Sequence, residues 1–233
     1  MTDFVRYPHT PHLAALSAIS PRGDKVLSAK DVRELLAEEV IVEEKVDGAN
    51  LGISVSEDGE IAVQNRGDYV TRSSAAGQFR PLWGWLSFRT KQLIDTLRDE
   101  RIIFGEWCYA RHSVAYSRLP DWFLMFDVYD RRAQRFWSVE RRNDLANELG
   151  IASVPLVARG RFHVADLVAM IGKSQFGDDP MEGIVVCRDQ GNWQVSRAKL
   201  VRAAFVQEIE EHWSHRRIVP NGLAKKSEFP NSP

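Results

Sequence analysis

Glu44-Lys45-Val46-Asp47-Gly48-Ala49-Asn50 puts one lysine between an apolar run and a turn flanked by acids. The preceding Val40-Ile41-Val42 reads as a buried strand, and Leu51, Ile53 and Val55 then alternate with Gly52, Ser54 and Ser56. Lys45 is therefore expected where one strand ends and its partner begins. A lysine held at such a junction is a candidate covalent nucleophile.

Working outward, Glu57-Asp58-Gly59-Glu60 is a turn signal leading into Ile61-Ala62-Val63-Gln64, which predicts an antiparallel hairpin beside the lysine. Upstream, Ser28 is a suitable N-cap for a helix over 29–38 with Val32, Leu35 and Leu36 on one face. Residues 1–27, with Pro8, Pro11, Pro21 and Gly23, read as an extended lead-in. Downstream, a loop is expected over 68–80 and a helix over 85–99. Strands are expected at 101–107 and 122–130, and helices at 139–149 and 164–173. Strands at 181–188 and 193–196 join through Asp189-Gln190-Gly191-Asn192, and a last helix is expected over 200–217. Residues 218–233, with Pro220, Gly222 and Pro230, read as a disordered tail. Strands and helices mix without a regular βαβ alternation, so the expected class is α+β on largely antiparallel sheets, with the main domain spanning 28–217.

Composition bounds the function classes. Apolar residues make up 44% of 233, enough for a substantial core. No apolar run approaches the ~18 residues of a membrane span, so a cytoplasmic protein with no membrane partner is expected. The two cysteines, Cys108 and Cys187, lie in apolar runs and suit buried free thiols. A formal charge of −1 does not advertise a nucleic-acid partner. Local clusters at Arg131, Arg132 and Arg135, at Arg141 and Arg142, and at Arg216 and Arg217 could still follow a phosphate backbone.

A free lysine titrates near ~10.4, so attack on phosphorus at neutral pH requires its ammonium form to be destabilised. One positive charge at ~4 Å with an effective dielectric of ~20 is worth about 4 kcal/mol, or roughly three pKa units, before screening. Lys199, Arg66 and a bound divalent metal are the expected sources. Several short segments could surround the lysine: Gln64-Asn65-Arg66-Gly67, Phe104-Gly105-Glu106-Trp107, the aromatic run Phe123 to Tyr129, Met181-Glu182-Gly183-Ile184 and Ser196-Arg197-Ala198-Lys199. Each alone has an ordinary reading as a turn or the start of a strand.

Their order is more specific than any one of them. With Lys-x-Asp-Gly first, the set from Glu44 to Lys199 resembles the covalent nucleotidyltransferase superfamily of ATP-dependent ligases and capping enzymes, most closely its RNA ligase 2-like branch. The resemblance implies a ligase adenylation domain in which Lys45 attacks the α-phosphorus of ATP, expels pyrophosphate and holds AMP as a phosphoramidate. It also implies that Arg66 contacts the nucleotide and the RNA 5′-phosphate, that Glu106 binds the ribose hydroxyls and that Phe126 stacks on adenine. Glu182 would bind or orient Mg²⁺ or Mn²⁺, and Lys199 would neutralise the α-phosphate. Glu44, Asp47, Gly48 and Arg197 join the nucleotide-binding set. Asn50 matches an asparagine that RNA ligases use in the later nucleic-acid steps.

Arg197 departs from the second lysine of many relatives, and Asp47 stands where some RNA ligases of this branch have histidine. The aromatic-rich stretch from Trp107 to Tyr116 suits an RNA or phosphate site, with His112 as a candidate, while Tyr7-Pro8-His9-Thr10-Pro11-His12-Leu13 has no assigned role. Little sequence follows Lys199, so no appended OB domain is expected. The favoured reading is joining of 5′-phosphate and 3′-hydroxyl RNA ends, with a polynucleotide kinase or phosphatase as a partner if one supplies the missing surface. The alternatives are a minimal DNA ligase without its OB domain and a non-catalytic nucleotide- or RNA-binding module.

Overall fold

The computed structural model describes residues 4–16, 25–73, 77–98, 100–203 and 218–225. Helix α1 covers Ala29–Leu35, with Ser28 and Asp31 forming a reciprocal capping box that satisfies two otherwise orphaned N–H groups. It is shorter than the expected 29–38. Strands β1 (Val40–Lys45), β2 (Ala49–Val55) and β3 (Ile61–Gln64) follow, then a single 3-10 turn at Gly77–Phe79. The helix expected over 85–99 is two helices, α2 (Leu82–Ser87) and α3 (Thr90–Leu97). At the break, Ser87 Oγ donates to Gly84 O and Thr90 Oγ1 to Leu86 O, hydroxyl bonds that compete with a continuous helical ladder.

The second half contains β4 (Arg101–Trp107), β5 (Phe123–Asp130), β6 (Arg135–Phe136), α4 (Val139–Glu148), β7 (Leu156–Gly160), α5 (Val164–Ala169), β8 (Gly183–Gln190) and β9 (Trp193–Val201). The strands form two antiparallel sheets, ordered β7-β1-β8-β9 and β3-β2-β4-β5-β6. The α+β expectation stands, and β2 and β3 form the expected hairpin. The expectation that β2 is the pairing partner of β1 is corrected, because the two belong to different sheets. Val40 and Val42 pack into one core with Ile184, Val186, Ala198 and Leu200, whereas Leu51, Ile53 and Val55 enter another with Trp107, Phe123 and Leu93. Residues 46–48 carry the chain across. Gly48 is required there, since a Cβ would come within 2.7 Å of Trp107 O.

Strand β9 runs past its expected end at Ser196. Ala198 and Leu200 are fully buried on one side of it, so Leu200 and Val201 close the sheet where a helix was expected. The rest of that expected helix, 204–217, lies outside the described residues. The tail expectation is also corrected for residues 218–225, which are docked against the loop after β4. Asn221, 6% exposed, accepts from Tyr116 N and donates to Cys108 O and Ala110 O. No helix among the described residues is long and apolar enough to cross a membrane. Cys108 and Cys187 are buried free thiols.

Candidate active site

A cavity of about 280 Å³ opens between the sheets. The four-stranded sheet supplies Glu43 and Lys45 from β1, Glu182 from the residue before β8, and Arg197 and Lys199 from β9. The five-stranded sheet supplies Asn50 from β2, Glu106 from β4 and Phe126 from β5, with Arg66 exposed just after β3. Both sheets thus converge on one volume.

Lys45 Nζ donates to Glu182 Oε2 at 2.6 Å. The strands set this pairing: Lys45 lies opposite Gly183, one residue beyond Glu182. Gly183 has no alternative, because a Cβ there would fall 2.0 Å from Leu200 O on β9. Burial by itself would lower the lysine's pKa, but the charges of Glu182, then Glu106, and the hydrogen bond outweigh it and leave it raised. The expectation that Lys199 and Arg66 depress Lys45 is therefore corrected for the free protein: its near neighbours are acids, and it is held as an ammonium.

Those acids carry the complementary strain. Burial pushes Glu182 up to about 7 even though Lys45 opposes the rise, with Asp47 adding to it. Burial likewise pushes Glu106 up to about 8, again against Lys45 and with Glu182 and Asp47 contributing. Two carboxyls that disfavour each other's charge in one cavity suit a hard divalent cation. Among the described residues no three His, Cys, Asp or Glu side chains cluster closely enough to hold one by themselves. Glu182 would be the protein's contribution to such a cation, with Glu106 beside it in the same cavity.

Asp47 and Glu44, both expected in the nucleotide-binding set, each also hold a neighbouring loop, and Glu44 lines the cavity. Asp47 Oδ2 accepts from Ser113 N at 2.7 Å and Val114 N at 2.9 Å, and Asp47 N donates to Tyr116 Oη, so this side chain pins the loop after β4. His112 is held by the same arrangement, 4.0 Å from Asp47 and 2.9 Å from Gln78 Oε1, and is absent from the cavity lining. Glu44 is 1% exposed and its carboxylate accepts from Ser174 Oγ at 2.5 Å and Gln175 N at 3.0 Å. Both carboxylates are thus engaged by loops.

Arg197 is also committed. Its Nη1 pairs with Asp127 and donates to Tyr7 Oη, and its guanidinium lies 4.2 Å over the Phe136 ring and 4.8 Å over Tyr7. Tyr7 meets Phe126 edge to face at 5.2 Å, and Arg142, paired with the buried Glu43, donates to Phe126 O at 2.6 Å. Phe126 is thereby fixed from behind and along its backbone. Asn50 Oδ1 is a buried acceptor with no hydrogen-bond partner, on a residue that lines the cavity. An unsatisfied acceptor there suits a donor brought by a ligand.

The lead-in was missed as part of the site. Lys199 N donates to Pro11 O and Leu13 N donates to Lys199 O, so residues 11–13 lie along β9 and bring Tyr7, His9 and Thr10 into the cavity wall. The available signal was an aromatic just before Pro8 and two polar side chains between Pro8 and Pro11.

The family model described as RNA ligase matches residues 38–201, the span from just before β1 through β9. The chain belongs to the RNA ligase family. No curated protein sequence matches it. Among solved structures, the fold resembles a Naegleria gruberi RNA ligase variant with ATP and Mn, at 17% identity over 86% of this chain and 57% of that one, with a TM-score of 0.65. The Naegleria gruberi RNA ligase with PPi is 20% identical over 78% of this chain and 55% of that one, with a TM-score of 0.60. Both likenesses are of fold, and the chain spans a little over half the length of these proteins. The RNA ligase match includes every cavity residue from β1 onward and leaves Tyr7, His9 and Thr10 outside it.

Proposed function

We propose that the chain is an ATP-dependent RNA ligase that joins 5′-phosphate and 3′-hydroxyl RNA ends through a lysyl-AMP intermediate. The observation that carries this reading is the meeting of Lys45, Arg66, Glu106, Phe126, Glu182 and Lys199 around one cavity, in a chain of the RNA ligase family. Phe126 offers a braced aromatic surface for adenine, and Glu106 an acceptor for ribose hydroxyls. Lys45 loses its proton and attacks the α-phosphorus; the bond to the pyrophosphate oxygen breaks and a phosphoramidate forms. Lys199 and Arg66 place positive charge beside the developing negative charge. A divalent cation, Mg²⁺ or Mn²⁺, would neutralise the triphosphate and the leaving pyrophosphate from a position on Glu182. Glu182 would then cease to hold Lys45 as an ammonium. AMP passes to the RNA 5′-phosphate, and a 3′-hydroxyl displaces it with Asn50 assisting.

The reading includes a cytoplasmic protein, and supply of ends by a polynucleotide kinase or phosphatase. Incubation with α-labelled ATP and Mg²⁺ or Mn²⁺ is expected to leave label on the polypeptide, and Lys45→Ala to abolish it. A wild type that never labels would make the chain a non-catalytic binding module. Sealing of nicked duplexes by the chain alone tests the rest, and preference for all-DNA nicks would replace the RNA assignment with a DNA ligase. Labelling without sealing would assign the holding of RNA ends to a partner.

A further inference from the structure

At the end of the sheets where β5, β6 and β9 begin or turn, three arginines stack on two tryptophans. Arg141 lies 3.5 Å over Trp137 and 5.3 Å from the Trp193 ring, Arg135 lies 4.9 Å over Trp193, and Arg101 lies 5.3 Å over Trp137. The register explains the gathering: Asp130 pairs with Arg101 on one side and Arg135 on the other, while Trp137 bridges to Trp193. Asp130 is the carboxylate set among the three cations, and it accepts from Ala133 N and Trp137 Nε1. Glu100 is taken by Arg132. The group therefore carries excess positive charge on a chain whose formal charge is −1.

The geometry also separates two arginines that adjoin in sequence. Arg142 is 1% exposed and paired with Glu43, so it belongs to the core. Arg141 is half-buried and Arg135 is exposed. A guanidinium stacked on a ring uses its faces for the aromatic contact and leaves N–H edges for other acceptors, the arrangement that suits phosphate oxygens. Trp193 begins the strand that carries Lys199, about 20 Å away at ~3.3 Å per residue.

We propose that Arg101, Arg135 and Arg141 on the Trp137–Trp193 platform form a second RNA surface, gripping the phosphodiester backbone of a duplex flank at a distance from the reacting ends. This rests on the RNA ligase reading. The contact reads backbone charge, so it adds affinity without sequence preference.

The test is fluorescence anisotropy without ATP, on nicked RNA duplexes with short and long flanks, over a salt series. Arg135→Glu and Arg141→Glu are expected to weaken long-flank binding about 10-fold together and to lower the salt slope by about one per arginine. Short-flank binding and ATP labelling of Lys45 should stay at wild-type levels, and Arg135→Lys should restore most of the long-flank affinity. Wild-type affinity and slope in the charge-reversed variants would overturn the proposal, as would equal losses on both duplexes. If Arg141→Glu unfolds the protein, the exposed Arg135→Glu decides alone. Failure of wild-type labelling would sink the ligase reading, whereas labelling with no flank-length effect would sink only this surface.

Discussion

Lys45 Nζ and Glu182 Oε2 lie 2.6 Å apart because Lys45 and Gly183 are register partners on adjacent strands. In the free protein this contact holds Lys45 as an ammonium. Glu182, pushed up to about 7 by burial, loses its charge as pH falls below that value. Lysyl-AMP formation should therefore rise as pH increases through about 7, and continue rising as the raised Lys45 pKa is approached. Glu182→Gln should remove the lower inflection and slow the step about 10²-fold or more. Single-turnover labelling across pH gives both readouts; an unchanged lower inflection in the variant would assign it to another group.

Glu106 yields a stability prediction. Its carboxyl is pushed to about 8 from an ordinary 4.5, so the folded state binds this proton more tightly than the unfolded state. The resulting stabilisation is complete below pH 4.5 and is lost as pH rises toward 8. Glu106→Gln should flatten the decline of Tm over that window and raise Tm at pH 8 or above by about 2–4 °C. Calorimetry of the ATP-free protein checks it. The added stabilisation by ATP should fall in the same variant.

Asn50 Oδ1 has no hydrogen-bond partner in the free protein. A group reserved for a ligand can be removed with little cost to the fold. Asn50→Ala should keep its Tm and label with ATP within a few-fold of wild type, but seal pre-adenylylated ends about 10–100-fold more slowly, the equivalent of one lost contact of 1–3 kcal/mol. Comparing labelling with sealing of pre-adenylylated RNA separates the steps.

Asn221 connects the C-terminal segment to the loop that Asp47 holds. Asn221→Ala strands Tyr116 N, Cys108 O and Ala110 O, and should cost about 2–4 kcal/mol in urea denaturation. A change under ~0.5 kcal/mol would mean that water replaces the amide without loss.

Local signals placed most elements correctly. The Ser28 cap is a property of neighbouring residues and appears as expected, as does a strand through Leu51, Ile53 and Val55, although Gly52 and Ser54 between them are buried as well. The separation of β1 from β2 was not legible, because alternation specifies a buried face without naming the sheet that buries it. The residues lining the cavity were legible through their order along the chain, with Arg197 and Glu44 as instructive cases: charge and position were visible, but their commitments to Asp127 and Ser174 depend on segments some 70 and 130 residues away. Tyr7, His9 and Thr10 were missed because a short proline-spaced segment acquires its place only by pairing with β9.

The crossing at residues 46–48 leaves Lys45 on one sheet and Phe126, Glu106 and Asn50 on the other. The 46–48 link is not what sets the spacing between them: Arg197 on β9 pairs with Asp127 on β5, Arg142 behind β5 pairs with Glu43 on β1, and Trp137 bridges to Trp193, so the distance from Lys45 to Phe126 is fixed by buried charges that hold one sheet against the other.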